Sequence, residues 1–194
     1  MTEVIIILVV ILLITVGVIA TRKNKRMLKS ALQGIQDFHA DEVYTEDTTT
    51  MLAVDNKRNK IAIIEQNENY KAYCYEFKDI YQSEVIVDGK TYMRTSTTRT
   101  VGRMLIGGAV LGVAGAVVGG MTAKPDIIDK IKKVQLKITV NNNEKPNHLI
   151  TFVDAGFSTV NKDNPVYKTG MKELNHWHDK LKMFIEKGIR EYND

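Results

Sequence analysis

The hydrophobic pattern of the chain changes period several times, and each change marks a new element. Val4–Ala20 is apolar without a break and carries no charge. A helix rises about 1.5 Å per residue, so a ~30 Å hydrocarbon core takes roughly 20 apolar residues, and about 17 at the short limit. Val4–Ala20 sits at that limit, Thr15 within it is tolerated, and Met1 and Thr21 extend it at little cost. In lipid the backbone must satisfy its own hydrogen bonds, so this pattern predicts a transmembrane anchor over residues 1–21, through Val4, Ile11 and Ala20. A cleaved signal peptide would need a basic start and a small-x-small cleavage site. Met1-Thr2-Glu3 and Val18-Ile19-Ala20 provide neither.

Beyond the anchor the period becomes that of an amphipathic helix. Met27, Leu28, Ala31, Leu32, Ile35 and Phe38 recur at helical spacing, with charge on the other face. Residues 22–39 therefore read as a stalk that continues the anchor and ends near Gln36–His39. His39–Thr50 is acidic and threonine-rich, an extended or loop connection.

Strand patterns follow. Thr50–Asp55 and Lys60–Gln66 flank Asn56-Lys57-Arg58-Asn59, a hairpin signal. Tyr70–Phe77 alternates poorly but is aromatic. Ile80–Asp88 and Lys90–Arg99 flank Gly89, and Asp88-Gly89 is the strongest short hairpin turn in the chain. Ile131–Val140 alternates strictly from Val134, Asn141–Pro146 is a turn by composition, and Leu149–Val153 is the return strand. Pro165–Tyr192 then sets Met171, Leu174, His178, Leu181, Ile185, Ile189 and Tyr192 on one helical stripe, with Asn164 as cap and Pro165 at the first helical position. About seven strands and one closing helix suit an α+β antiparallel half-barrel whose open end the helix plugs, with Trp177, Leu181 and Ile185 as the seal. This is not the βαβ alternation of a nucleotide-binding sheet.

One stretch fits neither period. Residues 102–124, between the fifth and sixth predicted strands, are rich in glycine, and Met104–Met121 has no charge. Gly108/Gly112 and Gly115/Gly119 are two Gly-xxx-Gly pairs, the spacing that lets helix backbones approach closely in lipid. A single crossing would export everything after it. Arg99 and Arg103 before it, and Lys124, Lys130, Lys132 and Lys133 after it, prefer the cytoplasmic side. The expectation is a helical hairpin with its tip near Gly112–Gly115 and arms of about 12 Å, too short to span. It packs on itself, dips into one leaflet or meets the anchor. A phosphate-binding loop is a poor reading, because Met121 stands where Gly-Lys-Ser/Thr would be needed.

Charge adds direction. Arg22, Lys23, Lys25, Arg26 and Lys29 follow the anchor at once, and only Glu3 precedes it. Basic residues concentrate on the cytoplasmic side, so the N-terminus faces out and residues 22–194 face the cytoplasm. The same basic collar is a candidate lipid-facing surface for anionic headgroups, at about 1 kcal/mol per residue near the surface, while setting topology is by itself a sufficient reason for these charges. The net charge of +4 is largely this collar, so no nucleic-acid surface is indicated. The lone cysteine, Cys74, excludes an intrachain disulfide and reads as a small buried residue of a strand.

Candidate chemistry is thin. His176-Trp177-His178 is the most tempting group, but on a helix the two histidines point roughly 200° apart and cannot share a metal. No catalytic, metal-binding or cofactor-binding residues are indicated, and the expectation is a protein that is not an enzyme.

The stretches "MLAVDNKRNKIAII", "YEFKDIYQSEVIVDGK", "GRMLIGGAVLGVAGAVVGG" and "VQLKITVNNNEKPNHLITF" together resemble small bacterial proteins with a pleckstrin-homology-like domain carrying a Gly-rich hydrophobic insertion. The resemblance spans about residues 40–190 and implies one such domain over 40–194. It also implies a non-enzymatic module in the bacterial cell membrane that binds lipid or a protein partner, although fold alone does not fix function. Self-association through the Gly-rich hairpin, perturbing the bilayer in phage exclusion or a stress response, is the alternative.

Overall fold

The computed structural model describes residues 2–45, 48–96 and 130–191; of Ser96, Arg190 and Glu191 it describes only the backbone. The predicted hairpin, with Gly108, Gly112, Gly115 and Gly119, lies outside the described residues. The rest divides into two compact units, Met1–Asn56 with Ala62–Cys74, and Lys57–Ile61 with Tyr75–Asp194.

In the first unit, α1 runs unbroken over Thr2–Gln33. It carries the apolar anchor and most of the predicted stalk, but it ends at Gln33, short of the expected end near Gln36–His39. A four-stranded antiparallel sheet follows in the order β1 (Glu42–Tyr44), β2 (Thr50–Asp55), β3 (Lys60–Gln66), β4 (Tyr70–Glu76). β1 is a strand where the sequence suggested an extended connection, so eight strands are present among the described residues rather than about seven. At three residues it is too short for a periodic signal, and pairing alone makes it a strand, with Val43 opposite Ala53. Leu28 is fully buried against Phe38, Met51, Ala53, Ala62 and Ile64, with Ala31, Leu32, Ile35 and Tyr70 partly buried around them. The stalk helix therefore lies on the first sheet. The Tyr70 hydroxyl also donates to Asn24 Oδ1 at 2.9 Å. Every residue of β2 is buried, which explains its continuous apolar run.

The exit from α1 is held by carboxylates. His39 N–H donates to Asp55 Oδ2 at 2.8 Å, and Asn56 N–H donates to Asp41 Oδ2 at 2.7 Å. One expectation fails here. Cys74, on the edge strand β4, is exposed, while its neighbour Tyr75 is buried.

In the second unit the sheet order is β6 (Lys90–Ser96), β5 (Ile80–Val87), β7 (Lys133–Val140), β8 (Asn147–Asp154), all antiparallel. The Asp88-Gly89 turn has φ of 47° and 81°, as a type I′ hairpin requires. Asp88 Oδ1 also accepts from the backbone N–H groups of Lys132 and Lys133, at 3.1 and 2.7 Å, which fixes where β7 begins. Val134, Leu136, Ile138 and Val140 are buried and their neighbours are not, the strict alternation read from the sequence.

α2 spans Pro165–Glu191, and Asn164 Oδ1 accepts from Val166 N–H at 2.8 Å, the expected cap. The helix packs on β5, β7 and β8 and on the short turn Phe77–Asp79. Trp177, Leu181 and Ile185 are buried, as expected of the seal. Tyr167 and Phe184, which lay off the predicted stripe, are buried too. Phe184 stacks on Phe77 with ring centroids 3.8 Å apart.

Candidate functional site

The most unusual surface on this protein is the first half of α1. Every large apolar side chain from Val4 to Ile19 is between 45% and 66% exposed, and nothing among the described residues covers them. An uncovered apolar cylinder of this length is stable in a bilayer and not in water. Its hydroxyls are satisfied from within: Thr15 Oγ1 donates to Leu12 O at 2.8 Å, and Thr21 Oγ1 to Gly17 O at 2.9 Å. That is the arrangement a lipid environment demands.

The collar continues the same helix. Arg22, Lys23, Lys25, Arg26 and Lys29 are all exposed. Arg22, Lys25, Arg26 and Lys29 fall at i, i+3, i+4 and i+7 and so share a face. Asn24, Leu28 and Leu32 share another, roughly 120° away, and that face meets the first sheet. The helix thus shows cations on one side and carries its folded unit on the other, directly after the apolar segment.

Three buried ionisable groups elsewhere have structural partners. Glu84 is 2% exposed and lies between two cross-strand cations, Arg94 on β6 and Lys137 on β7. Arg94 Nε donates to it at 2.6 Å and Lys137 Nζ at 2.8 Å. Burial pushes its pKa up, but the hydrogen bonds and charges of Lys137 and Arg94 outweigh burial and hold it below the usual value. His178 Nδ1 lies 3.0 Å from Ser83 Oγ, and burial drives its pKa down. His148 Nε2 lies 2.9 Å from the Tyr75 hydroxyl. The sequence reading missed the Glu84 and His148 groups. Nothing local to Glu84 marks it as buried, and only the register shows two cations beside it.

His176 is exposed and His178 buried, the divergence that helical spacing implied. No group of three or more His, Cys, Asp or Glu residues that could hold a metal occurs among the described residues.

Comparison with known proteins agrees with this picture. The chain is 28% identical over 134 residues to a protein described as an immunity protein of Bacillus phage SPbeta, covering 66% of this chain and 65% of that one. It is likewise 28% identical over 134 residues to the SPbeta prophage-derived uncharacterized membrane protein YomJ of Bacillus subtilis strain 168, covering 66% of this chain and 57% of that one. The match thus spans less than two thirds of either relative. No solved structure matches the chain significantly. With an uncovered apolar helix and a relative described as a membrane protein, this is a membrane protein. The profile of the glycine zipper containing PH domain matches residues 40–154, which takes in both sheets and the Gly-rich stretch between β6 and β7, and the chain belongs to that family.

Proposed function

We propose that this protein is a membrane-tethered, non-enzymatic binding or scaffold module. Its N-terminus faces out, residues 22–194 face the cytoplasm, and the domain engages lipid headgroups or a protein partner. The observation that carries the reading is α1 itself. One unbroken helix joins an uncovered apolar segment, an exposed basic collar and, through Leu28, the core of the first sheet. The domain is therefore coupled to its anchor by packing rather than by a loose linker. Glu84, His178 and His148 each have a structural partner, which supports a role in binding rather than in a reaction.

A second reading is favoured by the relative described as an immunity protein. In it, the Gly-rich stretch self-associates through Gly108, Gly112, Gly115 and Gly119 and acts on the bilayer, for example in phage exclusion.

Two measurements on the full chain in bacterial cells test these readings. Alkaline carbonate should leave the protein in the membrane, and protease added to intact spheroplasts should spare residues 22–194. Release by carbonate, or digestion from outside, would sink the tethered cytoplasmic module. Oligomer size in mild detergent, compared with a variant bearing leucine at the four glycines, then separates the readings. A large assembly that the substitutions dissolve favours the second.

A further inference from the structure

The loop after β8 reads Asp154-Ala155-Gly156-Phe157-Ser158-Thr159. It is tightly built. Gly156 N–H donates to Asp154 Oδ1 at 2.8 Å, Ser158 N–H to Ala155 O at 3.0 Å, and Ala155 N–H to Lys132 O at 2.9 Å. Ile131 and Val160 exchange backbone hydrogen bonds of 2.8 Å at its base. Gly156 has φ of 60°, a conformation that glycine adopts without strain. The outcome is that Phe157 is held at the tip with 108% relative exposure, fully open among the described residues. A single exposed apolar residue is ordinary. This one has unusual company.

Lys130 and Lys162 line an open hollow of about 510 Å³ beside the loop, together with Thr159, Asn161 and Asp163. Lys132, at the base of the loop, is exposed as well. Of the nearby acids, Asp154 pairs with Lys133 at 3.0 Å and also feels the charge of Lys132, and Asp163 pairs with Lys168 at 3.5 Å. Lys130, Lys132 and Lys162 form no ion pair among the described residues. The first turn of α2, which follows directly, contains no acid.

We propose that this loop is a second membrane contact, in which Phe157 enters the headgroup boundary of an anionic bilayer while Lys130, Lys132 and Lys162 meet lipid phosphates. An exposed aromatic residue on a loop with lysines at its base and in the adjoining hollow has the chemistry of interfacial binding: the aromatic ring enters the boundary and the cations stay at headgroup level. The inference rests on the membrane-tethered reading, because an anchored domain meets lipid at high effective concentration and a weak contact then suffices.

The test uses the full chain carrying Cys74→Ser and Phe157→Cys, labelled at the new thiol with an environment-sensitive fluorophore. It is reconstituted into phosphatidylcholine vesicles with or without phosphatidylglycerol. A Met183→Cys chain, labelled on the exposed side of α2, is the control. Phe157 is fully exposed among the described residues, so its replacement should leave folding unchanged.

In vesicles with phosphatidylglycerol, the label at 157 should shift to the blue and be quenched by spin-labelled lipid, and the label at 183 should not. Replacing Lys130, Lys132 and Lys162 by glutamine should lower the docked-to-undocked ratio about fivefold per charge. A label at 157 as open to water as in detergent, equal quenching at 183, or indifference to the lysines would each overturn the inference. Carbonate retention of the same samples keeps the two ideas apart. A retained chain whose label at 157 stays in water refutes this contact alone. A chain that washes off refutes the tether, and quenching at 157 then judges the contact by itself.

Discussion

His178 and Glu84 are both buried and ionisable, and the fold treats them in opposite ways. Glu84 keeps its charge because Arg94 and Lys137 flank it in register. His178 is held neutral, mainly by burial, with Asp179 and Lys182 acting in opposite senses on it. Both folded-state pKa values lie below the ordinary ones, so at each site the unfolded chain binds protons more readily as pH falls. The stability contributed at His178 is whole above its ordinary value of 6.5 and erodes as pH drops below it. The contribution of Glu84 is whole above 4.5 and erodes below that. Thermal melts between pH 7.5 and 4 should therefore show two successive losses. His178→Gln should flatten the upper one, and an unchanged slope between pH 6.5 and 5 would contradict this account of His178.

α2 illustrates how an element is shaped by what it touches. Gly170 and Gly188 look like weak points in a helix, since glycine costs about 1 kcal/mol against alanine in a helix interior. Their surroundings explain them. A Cβ on Gly188 would lie 2.6 Å from Lys78 Cα and 2.9 Å from Lys78 N. A Cβ on Gly170 would meet the Phe152 carbonyl oxygen and lie 2.5 Å from Val153 Cγ2. The helix approaches neighbouring backbone where no side chain fits, and backbone cannot swing aside as a flexible side chain can. Gly188→Ala should destabilise by about 1–3 kcal/mol, because overpacking outweighs the gain in helix propensity. A melt showing Gly188→Ala to be more stable than the parent would mean that helix and turn are less closely packed than described.

For the molecule as a whole, the anchor and the first unit cannot be separated at the apparent end of the basic collar. Leu28 lies one residue before Lys29, yet it is fully buried in the first unit. A soluble chain beginning at Arg22 should fold. One beginning at Ser30 loses Leu28, together with the Asn24–Tyr70 hydrogen bond, and should be less stable by at least about 2–5 kcal/mol, the usual cost of emptying a leucine site. Denaturant unfolding of the two chains checks this. Equal midpoints would show that the stalk contributes little to the domain.

Much of this architecture follows from local rules. The apolar run of α1, the Asp88-Gly89 hairpin, the strict alternation after Val134 and the Asn164-Pro165 start of α2 are visible in the sequence because each depends on a residue's own preference or on its near neighbours. The family resemblance was visible for the same reason, in phrases that repeat local patterns. Other features depend on partners far along the chain. β1 is a strand only because β2 pairs with it, and Cys74 is exposed because of the face of β4 that packing leaves uncovered. Glu84 is charged in a buried site because strands distant in sequence bring Arg94 and Lys137 beside it. Phe157 stands in water because a closed turn and a long-range bridge at Ile131 and Val160 hold it there. Periodicity records which way a side chain faces along its own element. What it faces is set by register and packing between elements, and no local pattern encodes these.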